Sequence, residues 1–332
     1  MASLRSLYTQ LFPPKPVLTE KNVTSQRGKV FIVTGGNSGV GFELCKILYG
    51  TGATIYMASR SEERATNAIK QITNPETPPT SPGQLKFLQL DLNDLTSVRS
   101  AASTFAAQEP QLHALWNNAG MGPYRIEAQA KTAQGLEALV GMHCVATLLF
   151  TQLLEPQLRA AADAATVPGS VRVVWTSSIS DQDAPRNGIE FDRLEHGTED
   201  RIRNYSVSKV GSWMLGREMA RRYASKGIVS VTINPGNVKA GSYDGMPGHI
   251  MLFLNMFLHE TQFGAYTGLY AGLSPEITPE HNGSYIIPWG RIRPDSASPR
   301  QDIIKAMTPE EEGGLGYCVK FWDWCEEQYS KA

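Results

Sequence analysis

The chain has 332 residues, is 41% hydrophobic and 19% charged, and carries a formal net charge of −1. That balance gives no footing for nucleic acid or an anionic membrane surface. No apolar run is long enough to form an integral membrane segment. Cysteines 45, 144, 318 and 325 form no C-x-x-C pair and read as reduced thiols of a cytoplasmic enzyme. The six histidines show no metal-ligand spacing, so no metal is expected.

Residues 1–27 contain Pro13, Pro14 and Pro16 and read as an N-terminal extension without a secretory signal. The remainder, 28–332, reads as a single domain. KVFIV at 29–33 is a short apolar run with the length of a buried strand. The turn TGGNSGVG at 34–41 follows, and FELCKIL at 42–48 opens a helix. Strand, glycine turn and helix start form a cradle for a dinucleotide pyrophosphate. Gly35, Asn37, Ser38, Gly39, Val40 and Gly41 are its expected contacts.

A second strand is expected at 53–59. Arg60 and Arg64 follow it, four residues apart, with no acidic residue at 59 or 60. A carboxylate there would suit the ribose of NAD; cations suit the 2′-phosphate of NADP. NADP(H) is therefore the expected cofactor. LKFLQL at 85–90 makes a third strand ending at Asp91 and Leu92, and a helix follows over 94–107. LHALWNN at 112–118 is the fourth, running into Asn118-Ala119-Gly120. One long helix is expected from 134 to 158, a fifth strand at 171–178 and a polar, irregular insertion at 179–204. The sixth strand, 228–234, leads into Pro235-Gly236, with Val238 beyond. Repeated strand–helix alternation predicts an α/β fold: a Rossmann-type, doubly wound parallel sheet covered on both faces.

The next helix carries Tyr205 and Lys209, a Y-x-x-x-K pair whose i, i+4 spacing places both side chains on one face. An ammonium beside a phenol favours the phenolate and brings it toward working pH. Thr176-Ser177-Ser178 ends the preceding strand. Segment 241–280 should cover the substrate. Met246, Met251, Met256, Phe253, Phe257 and Phe263 would shape an apolar cavity for a small but bulky hydrophobic molecule.

Together TGxxxGxG, NNAG, the serine and Y-x-x-x-K resemble the short-chain dehydrogenase/reductase family over about residues 28–240. The resemblance is closest to its retinol-dehydrogenase-like branch and to fungal, natural-product-type members. It implies catalytic roles for Ser178, Tyr205 and Lys209. It also implies cofactor contacts from Asp91, Leu92, Asn118, Ala119, Gly120, Tyr205, Lys209, Pro235, Gly236 and Val238. Two departures stand out: His143 occupies the place of a family asparagine, and Ala240 that of a cofactor-contacting threonine. His143 is either a packed, satisfied residue or a participant in the proton relay. The expected activity interconverts a ketone and a secondary alcohol. The alternatives are a non-redox isomerase, dehydratase or cyclisation catalyst on the same scaffold, and a cofactor-sensing protein without turnover. The sequence does not set the oligomeric state.

Overall fold

The structure, a computed structural model, describes residues 8–246 and 248–331. Eight strands form one sheet in the order β3-β2-β1-β4-β5-β6-β7-β8. They are β1 (Val30–Thr34), β2 (Thr54–Ser59), β3 (Gln84–Gln89), β4 (Ala114–Asn117), β5 (Val171–Thr176), β6 (Ile228–Ile233), β7 (Tyr285–Ile287) and β8 (Arg291–Arg293). All neighbours run parallel except β8, which turns back along β7. Strand order reverses between β1 and β4, and an open α/β sheet leaves its crevice at such a point.

Each face of the sheet has its own core, because alternate residues of a strand point to opposite sides. Phe31 and Val33 enter one core with α1 (Gly39–Tyr49), α2 (Glu62–Thr73) and α8 (Thr261–Leu273). Ile32 enters the other with α3 (Leu95–Ala106), α4 (Ala138–Leu153), α6 (Arg201–Tyr223) and α10 (Tyr317–Ser330). Among the described residues there are also three shorter α-helices, α5 (Glu155–Asp163), α7 (Gly248–Leu254) and α9 (Gln301–Met307).

The expected helix over 134–158 is two helices, α4 and α5, bent by 50°. Pro156 sits in the first turn of α5 and cannot supply a backbone donor to the preceding turn. Inside α4, residues Gly141–Ala146 form a π-helix. The Thr147 hydroxyl donates to the Met142 carbonyl at 2.9 Å, satisfying an acceptor that the wider turn displaces. The irregular stretch after β5 is also shorter than expected. Asp200 caps α6 by accepting from the backbone N–H groups of Ile202 and Arg203, so the helix already begins at Arg201. Among the described residues no single helix is long and apolar enough to cross a membrane.

Candidate active site

Two loops meet where β1 and β4 end. The Thr34 hydroxyl accepts from the backbone N–H groups of Asn118 (3.0 Å) and Ala119 (2.9 Å) and donates to the Trp116 carbonyl. The Asn118 amide donates back to the Thr34 carbonyl at 2.8 Å. The glycine turn and the NNAG loop are thus one hydrogen-bonded piece. Gly35 has φ +67°, and a methyl group there would lie 3.0 Å from Ala119 Cα. A methyl at Gly41 would lie 2.4 Å from the Gly35 carbonyl oxygen. Both positions therefore require glycine.

Ser38 is the N-cap of α1 but makes no side-chain cap bond, and the first turn contains no acidic residue. The N–H groups at the start of α1 are left for an anion from outside the helix. A backbone brought this close and a helix start with its donors uncommitted fit a dinucleotide pyrophosphate.

A cavity of about 490 Å³ opens here, with Gly35, Asn37, Ser38, Gly39, Val40 and Gly41 in its wall. Arg60, Arg64, Asp91, Leu92, Asn118, Ala119 and Gly120 line it as well. So do Pro235, Gly236, Val238, His143, Ser178, Tyr205 and Lys209. The catalytic and cofactor-contact residues expected from sequence are therefore brought to one cavity.

The two serines after β5 separate clearly. The Ser177 hydroxyl is buried and donates to the Lys209 carbonyl at 2.8 Å, a structural bond within the fold. The Ser178 hydroxyl donates to the Ser180 hydroxyl and accepts from the Ser180 N–H, each at 3.2 Å, and its proximity to the Tyr205 phenol favours the ionised form. The Tyr285 hydroxyl supports Ser178 from behind, donating to its carbonyl at 3.1 Å. Arg293 lies over the Tyr285 ring, 4.2 Å from its centroid, and 3.9 Å from the buried Asp181 carboxylate. Burial pushes Asp181 up to about 6.

The electrostatics correct one expectation. Burial, the largest effect on Tyr205, pushes its phenol up to about 12 rather than toward neutral pH. Lys209 stands 5.5 Å from the centre of the Tyr205 ring and donates to the Thr176 carbonyl at 3.2 Å. Burial lowers Lys209 to about 8. The phenol is thus held as a proton donor at neutral pH.

His143 sits on the π-helix, wholly inside the protein. Its Nε2 accepts from the Met121 N–H at 3.1 Å. Its Nδ1 therefore carries the proton and donates to the Ser208 hydroxyl at 2.9 Å, which in turn donates to the Tyr205 carbonyl. Burial, followed by the nearby Lys209 charge, holds His143 well below its ordinary pKa. Both nitrogens are engaged, which answers to the packed, satisfied reading.

The expectation for 241–280 holds only at its start. Tyr243 and Met246 line the cavity. Met256 is exposed, Phe257 packs against Phe12, and Phe263 packs against Trp289 and Tyr266. Met251 is not among the lining residues, and the Phe253 side chain lies outside the described residues. Helix α8 belongs to the core instead of covering the site. The apolar wall comes from Met121, Met142, Ile179 and Ile202, which the sequence reading missed. Their signal was adjacency: Met121 follows NNAG, Met142 precedes His143, and Ile179 follows Ser178. No group of three or more His, Cys, Asp or Glu suited to a metal occurs among the described residues.

Residues 29–187 match the family described as short chain dehydrogenase. The chain is 48% identical to the short-chain dehydrogenase/reductase iacJ of Pestalotiopsis fici, covering 100% of this chain and 99% of that protein. This chain belongs to the short-chain dehydrogenases/reductases. The short-chain dehydrogenase/reductase bet4 of Neocamarosporium betae is 40% identical over 98% of this chain and 93% of its own length. Among solved structures, an uncharacterised protein of Mycobacterium paratuberculosis superposes with a TM-score of 0.67 at 24% identity, covering 94% of this chain and 97% of that one. An NADPH-bound carbonyl reductase from chicken fatty liver gives 0.58 at 21% identity, covering 80% and 99%. These two likenesses show a shared fold.

For a short-chain dehydrogenase/reductase the departures at 143 and 240 are mild in geometry. His143 fills its place with two hydrogen bonds, the one to Ser208 buried. Ala240 lines the cavity beside the glycine turn, its methyl 3.8 Å from where a side chain at Gly39 would begin.

Proposed function

We propose that this enzyme is an NADP(H)-dependent oxidoreductase that interconverts a ketone and a secondary alcohol on a bulky, largely apolar substrate. One observation carries the reading: Ser178, Tyr205 and, one helical turn later, Lys209 line the same cavity as the dinucleotide turn. When bound, a nicotinamide supplies or accepts hydride. Ser178 would hold the substrate oxygen, and Tyr205 would give that oxygen its proton or take it back. Lys209 would hold the ribose hydroxyls.

Arg60 and Arg64 support NADP(H), since both line the cavity and no carboxylate occupies positions 59–61. Met121, Met142, Met246, Ile179 and Ile202 support an apolar substrate of irregular shape. The fungal relatives support a place in secondary metabolism. His143, one of the two departures that favoured a non-redox alternative, has both ring nitrogens hydrogen-bonded.

The test is NADPH oxidation against a panel of hydrophobic ketones, with Tyr205→Phe alongside. The expected loss in kcat is on the order of 10³-fold, with NADPH binding retained. Ketone turnover unaffected by the substitution would overturn the proposal.

A further inference from the structure

Three consecutive residues of the N-terminal arm are each gripped by a different part of the domain. Arg291, on β8, donates to both the hydroxyl and the carbonyl of Thr9, each at 2.6 Å. Asn234, at the end of β6, donates its amide N–H to Gln10 Oε1 at 2.9 Å. His259 donates from Nε2 to the Leu11 carbonyl at 3.2 Å. Phe12 then packs edge-on against Phe257.

Two of these three grips lead straight to the cavity wall that runs from Asn234 to Val238. The other end of the Asn234 amide, Oδ1, accepts the backbone N–H of Gly236 at 3.0 Å. His259 pairs along the same loop: its N–H donates to the Asn237 carbonyl, and its carbonyl accepts from the Lys239 N–H.

An amide side chain has one accepting end and one donating end. Gly236 offers a donor, so Oδ1 must face it, and Nδ2 must then face an acceptor. Both residues are buried, with Gln10 at 4% and Asn234 at 2% exposure, so no bulk water stands ready to substitute. Gln10 Oε1 is the acceptor that holds the Asn234 amide the right way round.

We propose that Gln10 is a positioning residue of the cofactor loop: by orienting Asn234 it fixes the backbone from Pro235 to Val238 against the dinucleotide. The proposal rests on the reading of that loop as a cofactor wall. The arm is then a working part of the site although it lies ahead of the first strand.

The test uses the full chain and NADPH titration by fluorescence. Gln10→Met keeps the length and removes the acceptor; Gln10→Glu keeps an acceptor; Gln10→Asn withdraws it by one methylene. Gln10→Met and Gln10→Asn should each raise the NADPH Kd and KM by about fivefold, the worth of one buried hydrogen bond. The kcat at saturating NADPH should change by less than about twofold, and Gln10→Glu should recover most of the affinity. An unchanged Kd in both Gln10→Met and Gln10→Asn, even with a lower Tm, overturns the proposal, because a merely structural arm would give that result. Wild-type protein that binds neither NADPH nor NADH overturns the cofactor reading itself.

Discussion

The imidazole of His143 donates to the Ser208 hydroxyl at 2.9 Å and so ties the π-helix to the turn of α6 that lies between Tyr205 and Lys209. Its other nitrogen holds the NNAG loop through Met121. One side chain thus ties together two elements that both line the cavity. Its neutral form is fixed by these bonds and by burial. The pH profile of kcat/KM should therefore show no step from this histidine between about pH 5.5 and 7.5. His143→Phe leaves a buried N–H and a hydroxyl without their partner, and should cost roughly 2–4 kcal/mol in urea unfolding. An inflection near pH 6.5 that disappears in His143→Asn would contradict this account.

The adjacent serines should respond in opposite ways. Ser178→Ala removes a group that faces the cavity and should lower kcat/KM by about 10²-fold, while loss of its cap on the following turn costs only about 0.5–1 kcal/mol. Ser177→Ala removes the buried hydroxyl bond to the Lys209 carbonyl, which keeps its helical donor, and should cost about 1 kcal/mol of stability. Steady-state kinetics and thermal melts on the two variants separate these effects.

Lys209 pits function against stability. Its pKa of about 8 in the fold lies below the ordinary lysine value of 10.5, so the fold disfavours its charged form. Between these two pH values the unfolded chain binds more protons, and stability from this group rises with pH. Lys209→Met should be inactive yet more stable at pH 7 by about 1–3 kcal/mol, allowing for the bond lost to Thr176. Its advantage over the wild type should shrink from pH 8 to 10.5. Unfolding titrations at several pH values provide the check.

Cofactor choice should rest on Arg60 and Arg64. Replacing both with alanine should weaken NADPH by about 10- to 100-fold while leaving NADH within a few-fold, the range for charge-assisted bonds to a phosphate. Parallel Kd measurements for the two cofactors decide it. Equal weakening of both would assign the arginines to general attraction.

The site was legible in the sequence because its parts are local motifs with fixed spacing. Gly35 and Gly41 are demanded by backbone approach, and Tyr205 and Lys209 by one helical turn. The protonation balance was not legible, since desolvation of Tyr205 depends on neighbours distant in the sequence, such as Tyr243. The bend at Leu154 was foreshadowed by Pro156, and the true start of α6 by Asp200. The π-turn around His143 had no comparable signal in the residues themselves. The methionines of 241–280 misled because composition does not say which face of a segment looks inward. Met246 faces the cavity and Met256 faces solvent.

The bonds from Asn118 and Ala119 to the Thr34 hydroxyl join positions 84 and 85 residues apart. A nascent chain that has made only β1 and its glycine turn therefore owns half a nucleotide seat. The other half arrives after two further strands and their helices have been synthesised and folded back beside the first. Closing so long a loop comes late in folding. The nucleotide should accordingly act as a brake on unfolding, with little influence on how fast the chain first finds its shape.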